Sequence, residues 1–433
     1  MRKNALLSKE QRKTKQLACL LLVYFLCKAH ESTEDKGGSS MPEVLFRVDL
    51  NKPMEEQETP GHNRWHPDIP ATVSVNPGAV FRIECKDWTD GQISNNDDPS
   101  DIRDVNLNRV HVLSGPVWVN GAEPGDLLVV DILDIGALQG SEWGFNGIFA
   151  RENGGCFLVD HYPEAAKSIW DFHGIYTSSR HLPGVKFAGI IHPGLIGTAP
   201  SHQLLDRWNR RERDLVATNP ERVPPLANLP TSHSAVLGKL QGAEFERIAK
   251  EAARTVPPRE NGGNCDIKNL SKGTRIYFPV HVEGAKLSMG DLHFSQGDGE
   301  VTFCGGIEMA GWMDLHVDVI KGGMAKYNII NNPVFKPGPV EPHYSEYLVF
   351  EGISVHETTG QQYYMDTNVA YRNACLNAIE YLKTAMGFTG EQAYMLLGTA
   401  PVEGRIAGVV DIPNACCTLS IPTSIFDRNI LPK

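Results

Sequence analysis

The sequence predicts a mainly β fold, a sandwich-like core with α insertions, and three observations carry that expectation. Apolar and polar residues alternate in several stretches, continuous apolar runs lie between glycines and prolines, and the 433 residues include 41 Gly and 28 Pro to make turns. Phe81, Ile83 and Cys85 alternate with Arg82, Glu84 and Lys86, and Ile276, Phe278, Val280 and Val282 with Arg275, Tyr277 and His281. Successive side chains of a strand point to opposite faces, so both stretches read as half-buried strands. The runs at 127–130, 315–320 and 347–355 lack that alternation and read as more deeply buried strands.

Helical signals interrupt the strands twice. Segments 202–216 and 242–254 are charged and amphipathic, with Asn219-Pro220 and Pro224-Pro225 between them. Residues 201–258 therefore read as a helical insertion separating two β-rich halves, 41–200 and 259–433. Segments 369–386 and 391–397, joined by Gly387-Phe388-Thr389-Gly390, read as a helical hairpin in which Thr389 caps the second helix. No repeat at solenoid or propeller spacing is present.

The folded body is expected to begin at Met41. Residues 1–40 hold basic side chains ahead of an apolar run at 17–27, whose eleven residues fit a signal-peptide core but fall short of the ~20 needed to span a bilayer. A disordered leader is the alternative, and no stable membrane span is expected. The body's cysteines, Cys85, Cys156, Cys265, Cys304, Cys375, Cys416 and Cys417, are odd in number and scattered, which is no disulfide framework. That favours a reducing, cytoplasmic compartment, with secretory entry as the alternative if the leader acts as a signal.

With 41 Lys+Arg against 52 Asp+Glu, a net charge of −11, the chain lacks the positive field that attracts phosphate backbones. Nucleic acid is excluded as an expected partner. The sequence also lacks a G-x-S-x-G elbow, a Walker A loop, an H-E-x-x-H helix and paired C-x-x-C motifs, which removes most of the case for a serine hydrolase or a nucleotide enzyme.

The densest polar segment is Gly290-Asp291-Leu292-His293-Phe294-Ser295-Gln296-Gly297-Asp298-Gly299-Glu300, followed by Glu308. Asp291 and His293 are two apart, so an extended backbone points both to one side, as a strand offers two ligands to one ion. Asp298 and Glu300 repeat the spacing on a glycine-flanked turn. The same segment also reads as a carboxylate-rich turn or a structural Ca²⁺ loop, although histidine among carboxylates favours a transition ion. His111, and Asp87 with Gln92 at the end of a strand, are weaker candidates, each equally explained by core or turn chemistry. His62 and His66 are four apart, but Pro60, Gly61 and Pro67 argue against a helix that would align them. Cys265 and Cys304 flank the acidic segment as candidate thiols.

Met41-Pro42-Glu43, His62-Asn63-Arg64-Trp65-His66-Pro67, the stretch from Ser114-Gly115-Pro116-Val117 to Gly121-Ala122-Glu123-Pro124-Gly125-Asp126, Gly262-Gly263-Asn264-Cys265-Asp266 and the 290–300 segment occur in that order. Together they resemble the acetamidase/formamidase family from about residue 41 to the end, and the long 201–258 region resembles its formamidase branch. The resemblance implies hydrolysis of a short linear amide to a carboxylate and ammonia, on a mostly β fold with metal ions in the site. Formamide is the substrate expected, with larger amides such as indole-3-acetamide as the alternative, and a homo-oligomer is the expected assembly. The family pattern shares His111, His293, Asp87, Asp266, Asp291, Asp298, Glu300, Glu308, Gln92 and Gln296. It usually has Met where this chain has Cys265, so a thiol there is not a family-wide device.

Amide hydrolysis needs an activated water, a stabilised oxyanion and a proton for the departing nitrogen. A divalent ion, zinc by expectation and calcium as the alternative, supplies the first two, and a neighbouring carboxylate moves the proton. Asp291, His293, His111 and Asp87 are assigned to the ion, Glu300, Glu308, Asp298 and Asp266 to proton transfer, and Asn264, Gln296 and Gln92 to holding the amide. Two rivals remain: a thiol amidase using Cys304, and a non-enzymatic β-rich binding protein with a structural Ca²⁺ loop.

Overall fold

Alternation at 80–85 becomes the strand Val80–Cys85, in which Phe81, Ile83 and Cys85 are buried and the residues between them are not. The computed structural model describes residues 41–339 and 344–432. The chain divides into Met1–Pro42 and Glu43–Lys433, and the second unit is the one described below. The expected leader, 1–40, lies outside the described residues.

Two sheets form the core. The six-stranded sheet runs in the order Glu43–Phe46, Val80–Cys85, Gly311–Ile320, Leu127–Ala137, Arg275–Pro279, Val334–Lys336. The larger, eleven-stranded sheet contains, as successive neighbours, Trp143–Ile148, Phe303–Met309, Leu287–His293, His192–Gly197 and Gly262–Asn264. Phe81, Ile83, Leu128, Val130, Leu315 and Val317 from the first sheet share one buried cluster with Val117, Ile196, Leu287, Met289 and Ile307 from the second. The fold is mainly β and sandwich-like, as expected. Each such aliphatic side chain contributes about 1.5–3 kcal/mol by leaving water. Strands from before and after the 201–258 region alternate within both sheets, so one core serves both β-rich halves.

Two strand expectations are corrected. The alternation at 275–282 stops as a strand at Pro279, which has no N–H to continue a ladder; Val280 instead donates to Asp126 O at 3.1 Å, and Val282 is only half-buried. The apolar run at 347–355 is not deeply buried: Tyr347–Ile353 is an edge strand of a three-stranded sheet with Cys416–Pro422 and Glu403–Gly408, and Val349 is 53% exposed. Composition shows that both faces are apolar, but only one is covered. The covering helix, Thr367–Met386, lies close enough that a Cβ on Gly352 would stand 2.1 Å from Ala370 O.

The helical insertion forms as His202–Thr218, whose cap Ser201 accepts from Leu204 N–H, and Gly242–Glu251. The second helix stops three residues short of the expected end because Ala253–Arg254 pair with Arg64–Trp65 as a short ladder. Near the C-terminus the hairpin is Thr367–Met386 and Gly390–Thr399. Gly387 takes φ 73° to end the first helix, and Thr389 with Gln392 closes a capping box on the second. Among the described residues no helix is long and apolar enough to cross a membrane.

Candidate active site

Four neighbouring strands of the large sheet and their turns bring one group of side chains together. Asp291 and His293 come from Leu287–His293, and Glu308 lies directly opposite His293 on Phe303–Met309. Asp266 follows Gly262–Asn264, where the N–H groups of Cys265 and Asp266 both donate to Gly194 O, at 3.0 and 3.1 Å. Glu300 comes from the turn after the 287–293 strand and accepts from Gly305 N–H at 3.3 Å. Asp291, Asp266 and Glu300 take φ of 54°, 50° and 45°.

His293 Nε2 stands 3.3 Å from Asp291 Oδ1 and 2.9 Å from Glu308 Oε2, and His111 Nε2 stands 3.7 Å from Asp291 Oδ2. Asp266, Asp291 and His293 each offer an atom within 4.8 Å of the others, as do His293, Glu300 and Glu308. Close backbone approach makes this possible. A Cβ on Gly194 would lie 2.8 Å from both Asp266 Oδ1 and Asp291 Oδ2, and one on Gly306 would lie 2.7 Å from His293 Cγ.

Burial and like charge set the protonation. Glu308 is pushed up to about 8 and Asp266 to about 7, by burial first and by the charge of Asp291. Glu300 rises well above the usual carboxyl range, by burial and by Asp266. Burial also works against Asp291, but His111 and His293 outweigh it and hold that carboxyl low. Burial lowers His111 to about 4, whereas Glu308 and Asp291 overcome burial to raise His293. His293 Nε2, Glu308 Oε2 and Asp266 Oδ1 are buried without an aligned hydrogen-bond partner. An imidazole nitrogen converging with carboxylate oxygens, all unpartnered, is a donor set that fits a divalent cation.

Gln296 supports this group from behind. Its Oε1 lies 2.9 Å from His293 Nδ1 and 3.0 Å from His192 Nε2, and its Nε2 donates to Asp266 O at 2.7 Å. Accepting the Nδ1 proton directs His293 Nε2 toward the carboxylates. Gln296 is thus a positioning residue and does not line the cavity, contrary to its expected place on the amide. His192, which the sequence reading did not single out, hides in the apolar run Ile190-Ile191-His192-Pro193 and is fully buried.

A cavity of about 430 Å³ lies over the cluster, with His111, Asn264, Asp291, Glu300 and Glu308 on its walls. Asn264, on the cavity wall, has its Oδ1 buried without a hydrogen-bond partner, an open acceptor. The rest of the wall is largely apolar, including Trp88, Val110 and Phe149, and the 201–258 region adds Glu212, Leu215, Leu226, Arg254 and Val256. That region also fixes His111: Thr255 Oγ1 accepts from His111 N–H at 2.8 Å and donates to His111 O, and Arg254 donates to Val110 O. Long-range packing of this kind leaves no local pattern in the sequence.

Three expected site residues lie apart from the cluster. The Asp87 carboxylate accepts from Thr89 N–H and Thr89 Oγ1, at 3.0 and 2.5 Å, and is taken up by its own turn, whereas His111 approaches Asp291. Gln92 ties its own loop to Asn106. Asp298 pairs with Lys268 at 3.0 Å and accepts from Gly404 N–H at 2.9 Å, anchoring the acidic turn to the C-terminal sheet. Turn chemistry accounts for all three. Cys304 is fully buried, and burial followed by Glu308 and Glu300 pushes its thiol far above the ordinary range, so it makes a poor nucleophile.

Comparison with known proteins places the chain among amidases by sequence and fold. The chain is 63% identical to a formamidase of Methylophilus methylotrophus over 390 residues, covering 90% of this chain and 95% of the relative. It is 62% identical to an acetamidase of Mycolicibacterium smegmatis over 374 residues, covering 85% and 92%. Among solved structures, a gamma lactamase from Delftia acidovorans superposes with a TM-score of 0.88 at 62% identity, covering 90% of this chain and 95% of that one. With residues 47–428 matching its model as well, the chain belongs to the Acetamidase/Formamidase family.

Proposed function

We propose that this protein hydrolyses the C–N bond of linear primary amides, formamide first among them, releasing a carboxylate and ammonia. The observation that carries the reading is a substrate-sized cavity of about 430 Å³ on whose floor the carboxyl groups of Asp291, Glu300 and Glu308 meet beside His111. Asn264 accepts from the amide NH₂ and orients it. Either Glu308 or Glu300, whose burial favours the protonated form, donates one proton to the nitrogen as it leaves, while Asp266 takes one proton from the attacking water. These roles balance: one water adds, one C–N bond breaks, and the nitrogen departs protonated.

We further propose a divalent ion, zinc before calcium, held by Asp291, His293 and His111. The unpartnered His293 Nε2 supports that assignment. When bound, such an ion polarises the amide carbonyl and lowers the pKa of a water. Around it, Gln296 keeps His293 oriented and the apolar wall excludes bulk solvent. The cavity is larger than formamide requires and apolar on most sides, which favours larger amides such as indole-3-acetamide as a second reading. A homo-oligomer is supported by the exposed apolar residues Ile406, Val410 and Ile412 on and beyond the Glu403–Gly408 strand. A cytoplasmic site of action is supported by the free state of all seven cysteines among the described residues.

Ammonia release from a panel running from formamide to arylacetamides, with the gamma lactam as a cyclic member, tests the activity. Elemental analysis of the same purified protein tests the ion. Absence of turnover on every amide would overturn the reading, and full turnover in metal-free protein would remove the ion from it.

A further inference from the structure

The cavity over the carboxylate cluster adjoins a second hollow of about 600 Å³, and Gly154, Pro225, Leu226 and Phe303 line both. The two differ in charge. The inner one is floored by carboxyl groups, whereas the outer one carries Arg151, Arg222 and Arg372 against a single carboxylate, Asp160. Each guanidinium is held by a backbone carbonyl: Arg151 by Val159 O at 2.8 Å, Arg222 by Pro224 O at 2.6 Å and Arg372 by Phe157 O at 2.7 Å. A carbonyl fixes an arginine in place without neutralising it. Asp160 lies 3.1 Å from Arg151 and 3.8 Å from Arg372, is 66% exposed, and offsets one of the three charges. Among the described residues Arg222 has no carboxylate partner, in a chain whose net charge is −11.

Three pre-positioned donors of like charge beside an apolar passage form a site for an anion, and the guanidinium fork matches the two oxygens of a carboxylate, the anion that amide hydrolysis itself produces. We propose that the outer hollow is a carboxylate-binding antechamber of the amide-hydrolysing site. The inference rests on the amidase reading for the source of its ligand. Hydrolysis converts a neutral amide into an anion that forms next to Asp291, where like charge disfavours its staying. The antechamber receives either that product or a carboxylate carried at the far end of the substrate. Both have the same chemistry, and kinetics separates them.

The experiment uses the full chain. Calorimetric titration with propionate, without any amide, is compared for the native protein and for R222Q, R151Q and R222K, with melting temperatures to confirm folding. Arg222 is exposed, so R222Q keeps the test usable if R151Q folds poorly. Propionate should bind about tenfold more weakly to R222Q and R151Q, as expected for loss of a charge-assisted contact, more strongly to R222K than to R222Q, and more weakly as salt rises. Equal affinity in the native protein and both glutamine variants overturns the proposal. For the source, kcat/KM is compared for succinamate and its neutral counterpart butyramide: a selective loss for succinamate in R222Q assigns the site to the substrate's carboxylate, and weakened inhibition by propionate with equal effects on the two amides assigns it to the product. Native protein that binds propionate in an Arg222-dependent way but hydrolyses neither amide would count against the amidase reading and leave the anion site standing.

Discussion

His293 Nε2 and Glu308 Oε2 face each other at 2.9 Å across paired strands, and neither is aligned for a hydrogen bond. A buried imidazole nitrogen set against a buried carboxyl oxygen is costly unless a proton shared by the pair or a metal ion lies between them. His293→Ala should therefore abolish ammonia release and lower bound metal to background, with the far-UV circular dichroism retained. Unchanged metal content in that variant would move the ion elsewhere.

Glu300 tests acid–base work against ligation. Glu300→Gln keeps the shape and removes the titrating group, so turnover should fall by roughly 10²–10⁴-fold at unchanged metal content. Loss of the metal would make Glu300 a ligand, and near-normal turnover would return it to the role of a turn carboxylate.

Gly194 admits no side chain. The Cβ of Gly194→Ala would stand 2.8 Å from Asp266 Oδ1, Asp291 Oδ2 and His293 Cε1. Crowding of this kind costs about 1–3 kcal/mol of stability, and displacement of the reacting groups should lower kcat by up to ~10²-fold. Wild-type kinetics in this variant would show that the cluster does not hold the reacting groups.

Acid sensitivity should trace partly to His62, away from the cluster. Its Nδ1 donates to Arg64 O at 2.6 Å and its Nε2 accepts from Ser288 Oγ at 2.8 Å, and burial lowers it to about 4. Because the folded value lies below the unfolded one, the unfolded chain takes the proton first. The contribution is fully present above pH 6.5 and is lost between about 6.5 and 4, roughly 3 kcal/mol in all. Urea titrations at pH 7 and pH 5 should show a smaller difference for His62→Gln than for the native protein. An equal difference would assign the acid sensitivity to other groups.

A chain beginning at Met41 is expected to fold and to turn over amide as the full chain does, since alternation begins there. Insolubility of that shorter chain would make residues 1–40 part of the fold.

What the sequence revealed depended on how local each signal was. Asp291 and His293 could be paired from their spacing, and the helical hairpin from Gly387 and Thr389, because strand and cap geometry are written within a few residues. Asp266 entered only through family likeness, and Glu308 only as the carboxylate that follows the acidic segment, since nothing in their neighbourhoods shows that they meet His293. His192 and the cavity wall from 201–258 were invisible, as they reach the site by packing across more than a hundred residues or from a surface insertion. Asp87, Gln92 and Asp298 were drawn in because residues that make turns are the same types that make sites.

The left-handed backbone at Asp266, Asp291 and Glu300 has a price in heat resistance. Non-glycine residues in that region carry about 1–2 kcal/mol each, and here three acidic side chains are also crowded into one small volume. Glycine at any of the three positions relieves the backbone, and at Asp266 or Glu300 it also removes a proton-bearing carboxyl from the crowd. Inactive glycine variants at Asp266 and Glu300 should accordingly melt at higher temperature than the native protein, whereas glycine at Asp291 also strips His293 and His111 of their carboxylate. At these positions selection for thermal endurance and selection for turnover pull in opposite directions, so a screen for hardier variants will enrich dead ones there first.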